Sequence, residues 1–449
     1  MSEPTQANPA SDDIIHESLI TLRQALVLLV CYFAYILDGF DIVVISYTAP
    51  AISADWGIQS QELGLVFSSS LLGMTLGAMF LASLADLYGR KLVVGGMLLV
   101  VGLTTIAVVY ADTVWQLVAL RFITGLGLGT IMAALAPLAG EFSPSRYRTL
   151  ILALLVSGAS LGPILGGLVT SSAIDTYGWQ SVFMAAGVLT LIAAALMFVL
   201  VPESMVFIIR RKPQGALERV NKTLTYLGHA SLEQLPPVNE AAAKESASVK
   251  SLVMRSRWIV TLKVWGAFFC AYSASYFLSS WLPQILVQAG FDQERAIQAV
   301  VLASLGSLVG AVIFGWLGRW WALNRLIASS FVIGALSYLI VGGLIDDIDA
   351  VNPGWFFWTL LFVSGFTTSG AFSNLYTVAM KIYPAQIRST GIGWATGIGR
   401  CGAVVSPALA GFLLAAGVSL TSLLGVFGIF FLVAATCVFL LTMRELPSG

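Results

Sequence analysis

The chain has 449 residues, 58% of them hydrophobic and only 10% charged, with a mean hydropathy of +0.89. That composition excludes a soluble domain and describes a membrane protein. The formal net charge is zero, from 23 basic and 23 acidic side chains, and nucleic acid is not an expected partner.

Residues 1–23 are polar and carry Asp12, Asp13 and Glu17. They lack the basic start and small-residue cleavage site of a signal peptide, so a cytosolic tail is expected. Apolar runs then recur at about 24–47, 62–84, 92–110, 115–139, 149–172 and 180–201. After a polar stretch over 202–257 they resume at about 258–282, 296–318, 325–344, 355–379, 389–414 and 420–442. Each is long enough to cross a hydrocarbon layer of about 30 Å as a helix. The expected fold class is all-α integral membrane, with twelve transmembrane helices. They form two pseudo-symmetric six-helix bundles over 24–201 and 258–442, joined by a partly helical cytosolic linker (202–257) and ending in a tail (443–449).

The charges are sorted by side. Arg90 and Lys91, Arg146 and Arg148, the run from Arg210 to Lys263, Arg319 and Arg325, and Lys381 and Arg388 fall in alternate loops. The intervening loops carry Asp55, Asp112, Asp175, Asp292, Asp346, Asp347 and Asp349, and almost no basic residue except Arg295. Positive charge marks the cytosolic side, so both termini are expected there.

Asp38 and Asp41 stand inside the first apolar run. An acidic side chain at the bilayer centre costs about 2.5–3.5 kcal/mol on insertion scales, so a span carrying two of them uses them. Spacing of i, i+3 places both carboxyls on one helical face, suited to a shared proton, cation or water-filled cavity. Proton coupling is the reading this favours.

The halves echo each other. GEFSPSRYRTL is followed 240 residues later by MKIYPAQIRST, which pairs Pro144 with Pro384, Arg148 with Arg388, Gly125 with Gly365 and Gly162 with Gly402. An internal repeat of six spans is the architecture of alternating access, in which one bundle rocks against the other around a midplane site. The four cysteines lie within spans, which argues against disulfides and metal sites. No phosphate-binding loop, metalloprotease motif or nucleophile elbow is present, and His16 and His229 lie in polar segments, so neither an enzyme nor a cofactor is expected.

LASLADLYGRK (81–91) resembles the loop between spans two and three of the major facilitator superfamily, with Asp86, Gly89, Arg90 and Lys91 matching and Ala82 where a glycine is expected. The resemblance implies a gating role for these four residues. The alternative is a tight turn with positive-inside charges. The corresponding loop of the second half has Arg319 where an acid is expected, so any latch is asymmetric. Arg121, in RFITGLGLG of span four, matches another superfamily pattern. A guanidinium inside a membrane must find an anion, a carbonyl or water, and Arg121 is a candidate substrate or coupling residue or, equally, a structural counter-ion to an acid. Glu141, ending the same span, is a candidate proton relay or a solvated helix end. GASLGPILGG (158–167) resembles the fifth-span motif of antiporters, although glycine and proline there also serve close helix packing.

LDGFD (37–41) followed by TAPAI, PES (202–204), YFLSSWLP (276–283) and YPAQIRSTGIGWATGIGRCGA (383–403) are similar to the aromatic acid:proton symporter family within that superfamily. The likeness runs over essentially the whole chain. It implies uptake of a hydroxybenzoate- or benzoate-class carboxylate with protons, through Asp38, Asp41 and the span-eleven arginine, Arg400. Small residues around Arg400 leave room for a carboxylate held by its guanidinium fork; the alternative is pairing with a protein acid. Tyr272, Tyr276, Phe372, Tyr376 and Trp394, with the amide Asn374, are candidates to stack on a ring and bond its hydroxyl. The expected partners are therefore a small aromatic carboxylate, protons and a lipid bilayer, with a functional monomer in the inner membrane. Efflux of amphipathic compounds, uptake of a non-aromatic acid such as muconate, and a transporter-like receptor are the rival readings.

Overall fold

The computed structural model describes residues 20–236, 252, 258–318, 320–345, 350, 353–384 and 387–441. Residues 1–19 and 443–449 of the expected tails, Thr442 at the end of the twelfth run, most of the linker beyond 236, Arg319, Asp346, Asp347 and Asp349 lie outside the described residues.

Among the described residues the chain forms fourteen α-helices and no strand. In the first half these are α1 (Leu22–Trp56), α2 (Ser60–Leu76), α3 (Leu84–Tyr88), α4 (Arg90–Ala107), α5 (Val114–Glu141) and α6 (Arg148–Leu200). The linker contributes α7 (Met205–Arg211) and α8 (Ala216–Leu227). The second half holds α9 (Trp258–Gln288), α10 (Gln293–Leu317), α11 (Leu323–Ile345), α12 (Gly354–Ile382), α13 (Arg388–Ala415) and α14 (Leu420–Phe439).

Nine of these helices, measured with their terminal turns, are long and apolar enough to cross a membrane. Twelve apolar runs and nine such helices differ for two physical reasons. The fifth and sixth runs share one 53-residue helix, α6, bent at Gly178, whose φ of 75° only glycine adopts without strain. The seventh and tenth runs form α9 and α12, of 31 and 29 residues, but Tyr, Trp, Ser and Thr dilute their apolar content.

The helices pack chiefly within their own half: α1 on α6, α2 on α5, α4 on both α5 and α6, then α9 on α13 and α14, α10 on α12, and α11 on α12 and α14. The matched residues of the repeat do matching work. A Cβ on Gly125 would overlap the Ser70 carbonyl of α2, and one on Gly365 would overlap the Ala303 carbonyl of α10. Likewise Gly162 sits against the backbone of α1 at Ile36, and Gly402 against that of α9 at Phe269. Backbones can approach this closely only where the side chain is absent. The two proline turns also coincide: Tyr147 N donates to Pro144 O, and Ile387 N to Pro384 O, each at 3.0 Å, and α6 and α13 then begin at Arg148 and Arg388.

Contact between the halves is sealed at the end where α1 finishes and α2 begins. Ser46 Oγ lies 2.9 and 2.8 Å from the Ser279 and Ser280 carbonyls, Gln293 Nε2 donates to Tyr47 O at 3.1 Å, and Ala408 N donates to Ser68 Oγ at 3.0 Å. Phe67 meets Trp281 edge to face at 5.4 Å. The space left among Ser46, Phe67, Tyr276 and Ser280 is about 10 Å³, no more than one water needs.

Gly365→Ala is expected to lower the melting temperature in detergent by several degrees, corresponding to about 1–3 kcal/mol of overpacking. Gly315→Ala serves as the control, since a Cβ there meets nothing within 4 Å. Equal melting temperatures for the two variants would contradict the α10–α12 crossing.

Candidate functional site

Both aspartates of α1 are buried, at 2% and 1% exposure for Asp38 and Asp41. Their surroundings differ. Asp41 faces its own half: Thr105 of α4 donates to its Oδ1 at 3.2 Å, Thr190 of α6 to its Oδ2 at 3.5 Å, and Arg121 Nη1 of α5 lies 4.0 Å from Oδ1. Arg121 is fully buried. Its Nη2 donates to the Asp41 backbone carbonyl at 2.7 Å and to Ser70 Oγ of α2 at 3.4 Å. Arg121 is thus a counter-ion held inside the first half.

Asp38 has no such company. Neither carboxyl oxygen has a hydrogen-bond partner among the described residues, and the charges within electrostatic reach are Asp41 and, from the second half, Arg400. Tyr276 of α9 is within electrostatic reach of both Asp38 and Arg400. A buried carboxylate without a donor is costly. Asp38 therefore needs either a proton or the Arg400 guanidinium drawn closer. Arg400 itself is partly buried and makes no ion pair or hydrogen bond to another described residue.

Around Arg400 the second half presents aromatic rings. Tyr272 stacks on Tyr276 at 5.9 Å and meets Phe372 at 4.5 Å, Phe268 meets Tyr376 edge to face at 5.3 Å, and the Tyr272 and Tyr376 hydroxyls are hydrogen-bonded. Gly399 lets α13 close on the Tyr272 ring, where a Cβ would stand 2.6 Å from it. The result is a layer with one free cation, one orphaned carboxyl and several ring faces.

Two other candidates lie outside that layer. Asn374 donates to Gly370 O at 2.9 Å within its own helix and turns its oxygen toward Gly318 at the end of α10. Trp394, 43% exposed, stacks on Trp265 at 6.0 Å. Trp265 precedes Tyr272 by two helical turns, about 10 Å along α9.

The remaining candidates gather at the opposite end from the seal. Asp86 is exposed, and its carboxylate lies 3.7 Å from Arg90. Arg90 also pairs with Glu141, whose carboxylate accepts from Ser204 Oγ at 2.7 Å and from Val206 N at 3.3 Å. Gly89, at φ 109°, joins α3 to α4 and leaves space for Glu203, which accepts from Lys91 N at 3.0 Å. This network fastens α7 to the ends of α4 and α5, and Glu141 is a member of it rather than a solvated helix end. The Gly158–Gly167 stretch serves packing: besides Gly162 on α1, Tyr47 Oη donates to Pro163 O at 2.8 Å. Thr105, Thr190, Glu203 and Ser204 were not legible as site residues, because hydroxyls are common in membrane helices and no periodicity links the ends of α5 and α6. The PES tripeptide was the available signal for the last two.

The sequence profile of the Major Facilitator Superfamily matches residues 31–351. The chain belongs to the major facilitator superfamily. It is 32% identical over 394 residues to a 4-hydroxybenzoate transporter of Pseudomonas putida, covering 87% of this chain and 86% of that one. It is 30% identical to a gallate transporter of the same species, over 96% and 94% of the two chains. These relatives bear out the likeness to aromatic acid transporters. In fold it matches the inward-open xylose transporter XylE of E. coli with a TM-score of 0.73 at 14% identity, over 94% of this chain and 98% of that one. A superfamily member with these apolar helices is a multi-pass membrane protein and a transporter, not an enzyme.

Arg121→Gln is expected to destabilise the detergent-solubilised protein by about 3–5 kcal/mol, the cost of breaking a buried charge pair. Arg121→Gln combined with Asp41→Asn recovers part of that loss, while Asp38→Asn stays within about 1 kcal/mol of wild type because no donor is lost. Thermal unfolding of these proteins together with Asp41→Asn alone measures this, and additive losses in the double variant would sink the pairing.

Proposed function

We propose that this protein imports an aromatic carboxylate of the hydroxybenzoate or benzoate class together with protons, by alternating access between two six-helix halves. The observation that carries this reading is the juxtaposition of Asp38, without a donor, and Arg400, without a partner, across the boundary between the halves, beside Tyr272, Tyr276, Phe372 and Tyr376. A carboxylate ligand supplies what Arg400 lacks. Its ring finds stacking faces, and its hydroxyl meets the Tyr272–Tyr376 pair.

Asp38 is the proton carrier in this scheme, and Asp41 with Arg121 is its rigid support. A proton on Asp38 frees Arg400 for the substrate anion. Loss of that proton returns the carboxylate to Arg400 and displaces the substrate, so neither the empty nor the loaded site strands a charge in the low-dielectric interior. One proton per monoanion moves no net charge and is driven by the pH difference. A second proton adds about 2.3 kcal/mol per 100 mV.

The orientation follows from charge sorting. The sealed Ser46 end faces outward, the Asp86–Arg90–Glu141 end and both termini face the cytosol, and the seventh and tenth apolar runs complete twelve spans in the inner membrane. The halves divide as 24–201 and 258–442 around the linker, and the chain works as a monomer. Asp86, exposed when that end is parted, acts as the gate with Gly89, Arg90 and Lys91. Arg121 and Glu141 support the transport path from within the first half. Asn374 and Trp394 flank the binding layer, with Trp394 and Trp265 on the cytosolic route from it.

Proteoliposomes given an inward proton gradient and radiolabelled 4-hydroxybenzoate or benzoate test this. Wild type accumulates at least one acid above its equilibrium level. Asp38→Asn loses gradient-driven accumulation but retains substrate exchange, while Arg400→Ala raises KM by at least an order of magnitude, about 1.4 kcal/mol or more of lost anion binding. No accumulation of either acid by correctly inserted wild type would overturn the substrate class. Full accumulation by Asp38→Asn would overturn its proton role.

A further inference from the structure

Away from the transport path, α7 and α8 fold back on the ends of α4 and α6 and form an open cavity of about 350 Å³, within the range of small-ligand sites. Three cations line it: Lys91 from the first turn of α4, and Arg219 and Lys222 from α8. The single acid in the lining, Glu203, is turned to the backbone N–H groups of Lys91 and Ser204, at 3.0 and 2.8 Å. Arg219 and Lys222 are exposed, and their side chains make no ion pair or hydrogen bond among the described residues. Glu203 offsets one of the three cations, and the lining keeps a net positive charge.

Its other wall is apolar, and it opens beside a membrane-crossing helix. Val199, in the last turn of α6, is 76% exposed at the mouth, and Phe207 of α7 continues that surface. The helix α8 lies at the level where the spans end: Tyr226 Oη donates to Leu200 O at 3.0 Å, and Thr21 Oγ1, at the start of α1, donates to Leu227 O at 2.7 Å. Val220, Leu224 and Leu227 are buried beneath it, which leaves Arg219 and Lys222 on the outer face.

From this placement we infer that the cavity is a binding site for an anionic phospholipid, the phosphate seated among Lys91, Arg219 and Lys222 and an acyl chain running down past Val199 on α6. A soluble anion has the same use for the cations but none for the apolar mouth. A zwitterionic lipid matches the mouth but brings an ammonium group toward three cations. Charge complementarity and access from the bilayer together select the anionic lipid.

Native mass spectrometry of the purified protein tests the site directly, with phosphatidylglycerol and phosphatidylcholine of identical acyl chains as probes. Wild type is expected to retain phosphatidylglycerol in preference to phosphatidylcholine. That preference falls about fivefold for each cation removed in Arg219→Gln/Lys222→Gln, whereas Lys381→Gln, an exposed cation of the other half, leaves it unchanged. All three substitutions are on exposed positions, and unchanged melting temperatures without lipid verify folding. Equal retention of both lipids, or an equal fall in Lys381→Gln, would overturn a built site. Displacement of the lipid by millimolar inorganic phosphate would assign the cations to a soluble anion instead.

Discussion

A guanidinium that cannot lose its charge sits at 0% exposure in the first half, and much of that half is arranged to tolerate it. Arg121 comes from α5. Its acceptors are the Asp41 carbonyl of α1 and Ser70 of α2, while the Asp41 carboxylate is in turn held by Thr105 of α4 and Thr190 of α6. One buried pair thereby ties together five helices, and no member can be withdrawn without leaving a charge or a lone pair unsatisfied in a medium where each costs several kcal/mol. Asp41 is consequently fixed in place by its partners. Asp38, one turn earlier and outside that web, has the freedom its neighbour lacks.

The repeat distributes scaffold and chemistry differently. Glycines at matching positions make matching helix crossings in both halves, and the proline turns repeat bond for bond. The charges do not repeat. At the offset of 240, Arg121 corresponds to Leu361 and Arg400 to Ser160. Each half keeps the other's packing and drops its cation, so the first half contributes the carboxyl and the second the guanidinium and the aromatic faces. A site whose opposite charges reside on bodies that move relative to one another responds to that motion, which a site contained in one half would not do.

Sequence made the charged residues legible because the cost of placing Asp38, Asp41 and Arg121 in apolar runs is large and independent of the details of packing. It did not separate the two aspartates. An i, i+3 pair differs by only about 60° around the helix, yet that rotation is enough to send one carboxyl into the Arg121 web and the other toward Arg400. The same geometry split Asn374 from Tyr376: two residues amount to about 200° of rotation, which puts the amide toward α10 and the phenol toward α9. The Glu141–Ser204–Glu203 network was hidden for another reason. It joins residues more than sixty positions apart in sequence through a chain reversal, and hydrophobic periodicity carries no information about such closures.

The contacts inside the halves and those between them overlap in kind. Within a half, backbones touch at Gly125, Gly162, Gly365 and Gly402, and any slide would drive carbonyls into neighbouring side chains. Between the halves, the seal at the Ser46 end adds hydroxyl, amide and backbone hydrogen bonds and an edge-to-face ring pair to a glycine crossing of its own, where Gly64 of α2 meets the Pro407 carbonyl and Gly411 of α13 the Ser60 carbonyl. The hydrogen bonds and the ring pair are each worth about 1 kcal/mol net. A ligand of micromolar affinity brings about 8 kcal/mol, of which only the part that differs between the two arrangements can shift their balance. Breaking those few bonds is within that range, whereas parting the α2–α13 crossing also forfeits close backbone packing. The boundary between the halves thus carries both kinds of contact, and Asp38 and Arg400 stand on opposite sides of it.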